Sequence, residues 1–271
     1  MNIAVIGANG YIGRNLIERL LKETDHSMVA LSSTAESMTL HDKRLIKHNV
    51  DILDTKKLHT YLKKCDVAYY LIHMMAQNKT DFAKAETEAA ESFCTAAVGT
   101  NVKRVIYLGG LGSDRDKLSK HLKSRHKTGE ILRNNLSQVI EFRASMIIGR
   151  GGISYDILTN IVNKLPVLTL PNWIKTPTQP IGLDDCLSYL IASLKLDIKG
   201  HEIVEIGGPI QLPLIPASVA GWWLSLFTPK VDARVGRIMV DSLSNPMLVT
   251  NDKAQKLFPN IHPKTLEEVF V

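Results

Sequence analysis

At 271 residues, with 45% hydrophobic and 22% charged side chains, the chain can bury a sizeable core and is too ordinary in composition for a disordered or fibrous class. Its net charge of +6 is a diffuse excess, which argues against nucleic acid as the partner and fits either a solvated face or a site for an anionic cofactor. Cys65, Cys94 and Cys186 lack paired spacing and read as reduced, mostly buried thiols of a cytoplasmic protein.

The predicted elements alternate strand and helix from the start. NIAVIG is an apolar strand beginning at Ile3 with no basic segment ahead of it, which argues against a signal peptide. Behind it, Ile12, Leu16, Ile17, Leu20 and Leu21 recur at helical spacing over Tyr11–Glu23. The turn between them is GANGYIG. Gly7 permits a tight turn, Gly10 lets backbone N–H groups approach a pyrophosphate, and Gly13 allows helix and sheet to pack closely. Asn9, Tyr11, Ile12 and Arg14 complete the expected cofactor loop, with a purely structural glycine turn as the alternative.

MVALSS is the second strand, and LSSTAES follows its course. An acid that would hold an NAD ribose is absent before Glu36, whereas the hydroxyls of Ser32, Ser33 and Thr34, with Arg14, suit a 2′-phosphate. NADP is therefore the preferred cofactor, and NAD remains compatible. KHNVDI reads as the third strand with a helix over 56–63 after it. DVAYYLIH is the fourth, followed by a long helix over 81–98. VKRVIYLGG is the fifth, followed by the helix containing HLKSRHKTGEILR, and SQVIEFRAS is the sixth.

After Gly149–Gly152 the rhythm loosens. A helix over 154–164, a proline-rich connection over 166–180, a helix over 184–196 capped by Asp184, the strand HEIVEIGG and an amphipathic piece over 252–258 follow. The apolar stretch LPLIPASVAGWWLSLF, with Trp222 and Trp223, is short for a membrane span and is broken by Pro213 and Pro216. It reads as a core or lid segment, with membrane or partner contact as the alternative. The expected fold is a Rossmann-type α/β protein with a doubly wound parallel sheet. Residues 1–150 would form the dinucleotide-binding core, and 151–271 a small substrate-side portion packed on the same fold.

With GANGYIG, AYYLIHMM, VIYLGGLGS, HLKSRHKTGEILR, EFRASMIIG and QPIGLDDC in this order, most of residues 1–210 resembles the atypical short-chain dehydrogenases/reductases. The similar branch holds NAD(P)H-binding proteins of the NAD-dependent epimerase/dehydratase type. The resemblance implies that Asp51 and Ile52 lie near the adenine and that Leu71, Ile72 and His73 pass the cofactor ribose. Asp51 also reads as a simple turn or capping residue.

Ordinary members carry a Ser or Thr after the fifth strand and a Tyr-x-x-x-Lys on the next helix. The lysine lowers the tyrosine pKa and holds the ribose; the tyrosine exchanges a proton with the substrate oxygen. None of the seven tyrosines here is followed by lysine at that spacing. Aligned on Ser124, His121 stands in the tyrosine position and Arg125 in the lysine position, and Ser113 is the first hydroxyl after the fifth strand. His121 is thus a candidate acid or base, and Arg125 a candidate grip on ribose or phosphate. The alternative is a solvated basic helix face shared with Lys120, Lys123, His126 and Lys127. His73 is a second candidate beside the cofactor, or a residue that only orients backbone.

Three functions compete. One is an NADPH-dependent oxidoreductase whose small-molecule acceptor, a quinone, flavin or conjugated carbonyl, asks little proton assistance. Another is a non-catalytic dinucleotide sensor that meets partners through WWLSLF. The third, a sugar-nucleotide epimerase or dehydratase, suffers from the missing tyrosine. Self-association is compatible with each.

Overall fold

The first strand, β1 (Asn2–Ile6), is buried at all but its first residue and feeds α1 (Tyr11–Glu23), whose buried stripe is Gly13, Leu16, Ile17, Leu20 and Leu21. The structure is a computed structural model that describes residues 1–74, 81–113, 117–156, 176–209, 212–214 and 245–270. Its chain continues through β2 (Ser27–Ser32), a 3-10 turn at Ala35–Ser37, β3 (Leu45–Asn49), α2 (Thr55–Leu62), β4 (Val67–Tyr70) and α3 (Phe82–Ala97). β5 (Arg104–Gly110), α4 (Lys120–Asn135), β6 (Val139–Ala144) and β7 (Ile147–Ile148) come next. β8 (Thr176–Thr178), β9 (Ile181–Gly182), α5 (Leu183–Ala192), β10 (His201–Ile206), β11 (Leu212–Leu214), α6 (Lys253–Leu257) and α7 (Leu266–Phe270) complete the described elements.

Seven strands form one sheet in the order β10-β6-β5-β4-β1-β2-β3, and the pairings from β5 to β3 are parallel. Ile3 faces Met28 on one side and Val67 on the other. The chain winds outward from β1 in both directions, so the topological switch point falls between β1 and β4. In such sheets ligands bind beyond the carboxyl ends of the strands at that point. The expected doubly wound Rossmann-type class is the one observed.

The chain divides into two compact units interleaved along the sequence. The first comprises Met1–Gly109, Ser124–Phe142 and Leu187–Val204; the second, Gly110–Lys123, Arg143–Cys186 and Glu205–Val271. The first unit has a core of Leu58, Leu62, Phe93, Tyr107 and Leu132 around Tyr70, whose ring lies 5.0 Å from Phe93 and 6.0 Å from Tyr107. Its last segment is stapled to its first. Tyr69 Oη donates to the Leu190 carbonyl at 2.9 Å, and the Arg104 guanidinium donates to the carbonyls of Ser193, Leu194 and Leu196. In the second unit β7 pairs with β9 in parallel, β8 with β11 antiparallel, and the Tyr155 and Phe270 rings stack at 5.3 Å.

Several element ends differ from expectation, each for a physical reason. β4 stops at Tyr70, not His73, because its partner β1 stops at Ile6; Leu71 N still reaches the Ile6 carbonyl at 2.9 Å. β3 begins and ends earlier than KHNVDI. Val50 N closes the ladder on the Ser32 carbonyl, and Asp51 then takes Leu53 N on its side chain to make a turn. The helix expected over 184–196 is α5 followed by a 3-10 turn at Ser193–Lys195. The helix over 154–164 and the proline-rich connection lie outside the described residues except at their ends. The apolar segment with Trp222 and Trp223 lies outside them except for β11.

All three cysteines are free and buried. Burial pushes the Cys65 thiol up to about 11 and those of Cys94 and Cys186 to about 12. Among the described residues no helix is long and apolar enough to cross a membrane.

Candidate functional site

The glycine turn closes on itself and on two neighbouring strands. Gly7 has a φ of +84°, in the region that side chains avoid, and a Cβ there would meet the Leu71 carbonyl oxygen at 2.8 Å. Its N–H and that of Ala8 both donate to the Leu31 carbonyl, at 2.9 and 3.3 Å. A Cβ on Gly13 would run into the carbonyl oxygens of Gly7 and Ala8, the latter at 2.7 Å. Glycine is therefore required for helix α1 to start this close to the sheet.

Helix α1 has Gly10 at its N-cap, no side-chain cap and no acid in its first turn. With neither a side-chain cap nor an acid there, the positive end of its dipole favours an anion. Arg14 stands exposed on the same turn. The residues present thus suit the pyrophosphate of a dinucleotide.

Asn9 joins this cradle to the exit of β2. Its Nδ2 lies 3.0 Å from the Thr34 carbonyl, 2.9 Å from Thr34 Oγ1 and 3.2 Å from Ser37 Oγ. Ser32 Oγ accepts Thr34 N at 3.3 Å, and Ser33 is exposed. Glu36 is engaged by Asn49: Asn49 Nδ2 donates to Glu36 Oε2 at 3.0 Å, and Glu36 N to Asn49 Oδ1 at 2.9 Å. Asp51 is exposed in its turn, and Ile52 packs against the core with its carbonyl accepting from Ser92 Oγ at 2.6 Å.

At the exit of β4 lies a cluster that motif reading did not anticipate. Glu86 sits in the buried stripe of α3 between Phe82, Ala89 and Phe93, and is 2% exposed. Its Oε1 accepts from His73 Nδ1 at 2.7 Å and from Met74 N at 3.3 Å; its Oε2 accepts from Ser124 Oγ at 2.5 Å. Arg125 Nη1 is 3.6 Å from Oε1. Burial opposes ionisation of this carboxyl, but His73, Arg125 and Ser124 together outweigh it and pull the pKa down to about 2. An ionised carboxylate only accepts, so His73 carries its proton on Nδ1.

His73 keeps 37% of its side chain accessible, yet protein packed around the ring displaces much of its water. That desolvation moves its pKa below the ordinary 6.5, against the pull of Glu86 and with the push of Arg125. Arg125 turns its donors to protein carbonyls: Nη1 to Ile72 at 2.9 Å and Nη2 to Leu108. Its guanidinium lies 4.9 Å from the centre of the Tyr107 ring, and Tyr107 Oη donates to the Arg125 carbonyl at 2.9 Å.

Gly7 to Arg14, Ser32, Ser33, Asp51, Ile52, Leu71 to His73 and Arg125 therefore all belong to the first unit, whereas Ser113 and His121 belong to the second. Within that second unit the loop before α4 is held by Asn245, which accepts from Ser119 N at 2.8 Å and donates to the Lys117 carbonyl at 3.0 Å. The solvated-face alternative describes Lys120, Lys123 and Lys127, which are exposed, and not Ser124, Arg125 or His126, which are buried. Glu86 went unread because it lies inside α3, away from any strand end, and belongs to no motif. The available signal was a carboxylate in register with an apolar helical stripe.

A family model described as NAD(P)H-binding matches residues 7–147. Among curated proteins, NADH dehydrogenase (ubiquinone) 1 alpha subcomplex subunit 9, mitochondrial, of Arabidopsis thaliana is 24% identical over 214 residues. The match covers 76% of this chain and 53% of that protein, so the chain spans about half the length of the curated relative it matches. Solved structures share its fold. UDP-glucuronic acid 4-epimerase from Bacillus cereus, in complex with UDP-glucuronic acid and NAD, superposes with a TM-score of 0.73 at 17% identity, covering 99% of this chain and 96% of that one. For a nucleoside-diphosphate-sugar epimerase from Staphylococcus aureus the values are 0.72, 14%, 100% and 99%. For dTDP-glucose 4,6-dehydratase from Streptomyces venezuelae with NAD bound they are 0.71, 16%, 100% and 94%.

Proposed function

The chain belongs to the NAD(P)H-binding family, and from that membership we propose that it is an NADPH-dependent oxidoreductase acting on a quinone, flavin or conjugated carbonyl. The observation that carries this reading is the uncapped N-terminus of α1 behind β1, built so tightly that side chains at Gly7 and Gly13 would collide with backbone. The bound dinucleotide supplies a hydride. The chain's own residues bind and orient: the α1 N–H groups take the pyrophosphate, and the 71–73 segment runs beside the cradle past Gly7.

Three features support NADPH over NADH. Ser32, Ser33 and Thr34 offer hydroxyls at the exit of β2, Arg14 offers an exposed cation, and Asn49 engages the nearest acid, Glu36. Calorimetric titration tests the preference. NADPH is expected to bind more tightly than NADH, and Arg14→Glu to weaken NADPH about tenfold, the size of one charge-assisted contact, while moving NADH far less. Equal affinities in the wild type would sink the preference, and a quinone, flavin and enone panel tests turnover.

A second reading is a dinucleotide-binding subunit without turnover. It is favoured by Arg125, which stands in the lysine position but directs donors to Ile72 and Leu108, and by the relative named as a subunit. Tight NADPH binding with no acceptor reduced would select it. An epimerase is disfavoured because no Tyr-x-x-x-Lys exists in the chain. The three free, buried thiols support a reducing compartment, the cytoplasm.

A further inference from the structure

We propose that His73, oriented by Glu86, is the proton-exchanging residue of the active site, in the role that tyrosine fills in relatives that have one. The proposal rests on the reading above that the protein reduces an acceptor with a nicotinamide dinucleotide. Position comes first. His73 lies three residues past the end of β4, at the carboxyl edge beside the switch point, and Leu71 in the same segment abuts the cradle glycine Gly7. Orientation comes second. Nδ1 is committed to Glu86 at 2.7 Å, so a proton exchanged with any other molecule passes through Nε2.

The supports of the pair are themselves anchored. Glu86 is held by Ser124 and faced by Arg125, and Arg125 also grips the carbonyl of Ile72, the residue before His73. Glu86, Ser124 and Arg125 are positioning residues. Among the described residues the charged groups that act on the imidazole are Glu86 from α3 and Arg125 from α4, and behind them Tyr70 from β4 and Tyr107 from β5 face Arg125. Neither tyrosine replaces the imidazole. Both are fully buried, burial drives the Tyr70 hydroxyl far above its ordinary 10, and the Tyr107 hydroxyl is spent on the Arg125 carbonyl.

The step balances with one hydride and one proton. Two electrons leave the reduced dinucleotide with the hydride, which forms the new bond to the acceptor. The His73 imidazolium breaks its Nε2–H bond and gives that proton to the acceptor oxygen. The neutral ring keeps its Nδ1 proton against Glu86 and regains the other from water. A carboxylate behind the ring stabilises the imidazolium and selects this tautomer, as in other carboxylate–histidine pairs.

The test is histidine ring NMR on the full-length wild type with saturating NADP+ or NADPH, with His73→Gln used only to assign the signal. A ring beside the nicotinamide feels the positive charge of its oxidised form, so the His73 pKa is expected about half a unit or more lower with NADP+ than with NADPH. Glu86→Gln is expected to lower that pKa further and to shift the ring from the Nδ1–H to the Nε2–H tautomer. With an accepting substrate, His73→Gln is expected to flatten the pH profile of NADPH oxidation. An identical His73 pKa in both redox states, with cofactor demonstrably bound, would overturn the proposal and leave the cofactor reading standing. Absence of any binding shift in the Gly7–Arg14 amides would overturn both. The wild-type comparison needs no variant to fold.

Discussion

Glu86 and His73 carry opposite formal charges when both ionise, yet both lose stability in acid. The Glu86 pKa of about 2 lies below its ordinary 4.5, so its contribution is complete above pH 4.5 and drains away as pH falls towards 2. The His73 pKa is also depressed. Its contribution is complete above 6.5 and is lost as pH falls through the folded value, so the acid limb begins with the imidazole and continues with the carboxyl. Urea unfolding of the wild type is expected to lose on the order of 3 kcal/mol through Glu86 between pH 5 and pH 2. Glu86→Gln, with nothing to protonate there, is expected to be less stable at pH 7 and to lack that loss; parallel pH curves for the two proteins would refute the assignment. At this scale the sequence was half legible. Arg125 and His73 were singled out by position, but the residue that joins them was not. Burial of Glu86 depends on what α4 and β4 bring to α3, and no spacing within one helix encodes that.

Helix α1 and its turn were the most legible elements, because strand, three glycines and an apolar stripe all constrain one short stretch. Gly13→Ala tests how tight that junction is. The added methyl meets backbone oxygens rather than a movable side chain, so a loss of about 1–3 kcal/mol in urea is expected together with NADPH affinity. Retention of both would mean that the turn relaxes freely. Helix α4 was far less legible. Its buried face mixes Leu122, Ile131 and Leu132 with Ser124, Arg125, His126, Thr128 and Gly129, so the hydrophobic period that marks α1 is interrupted by polar residues, of which Ser124 and Arg125 are bonded to Glu86, Ile72 and Leu108. Strand ends were misjudged where apolar residues continue past the ladder. Leu71 and Ile72 look like strand from their side chains, but after the bond from Leu71 N to the Ile6 carbonyl the chain beyond β1 has turned into the cradle and the ladder ends.

For the whole molecule, the alternation of strand and helix was enough to give the parallel doubly wound sheet, since few other topologies accommodate it. The interleaving of the two units was not legible, because it depends on where the chain returns after β6. One consequence is measurable with thiols. Cys65, Cys94 and Cys186 are all buried with raised pKa values, two in the first unit and Cys186 in the second. An aromatic disulfide reagent at pH 8 is expected to label none of them quickly in the native protein and all three in urea. Rapid native labelling of one would mark its unit as opening locally.

The staples of Tyr69 and Arg104 also set a clock. A ribosome delivers the chain from its first residue, and the carbonyl that Arg104 takes from Leu196 lies 92 residues downstream. At about 5–20 residues per second, the guanidinium waits roughly 5–18 s for that acceptor to be made. Through that interval β5 and β6 are made while the segment that closes their unit is not. The nascent chain therefore spends seconds in which the Arg104 guanidinium exists and the carbonyls that will receive it do not.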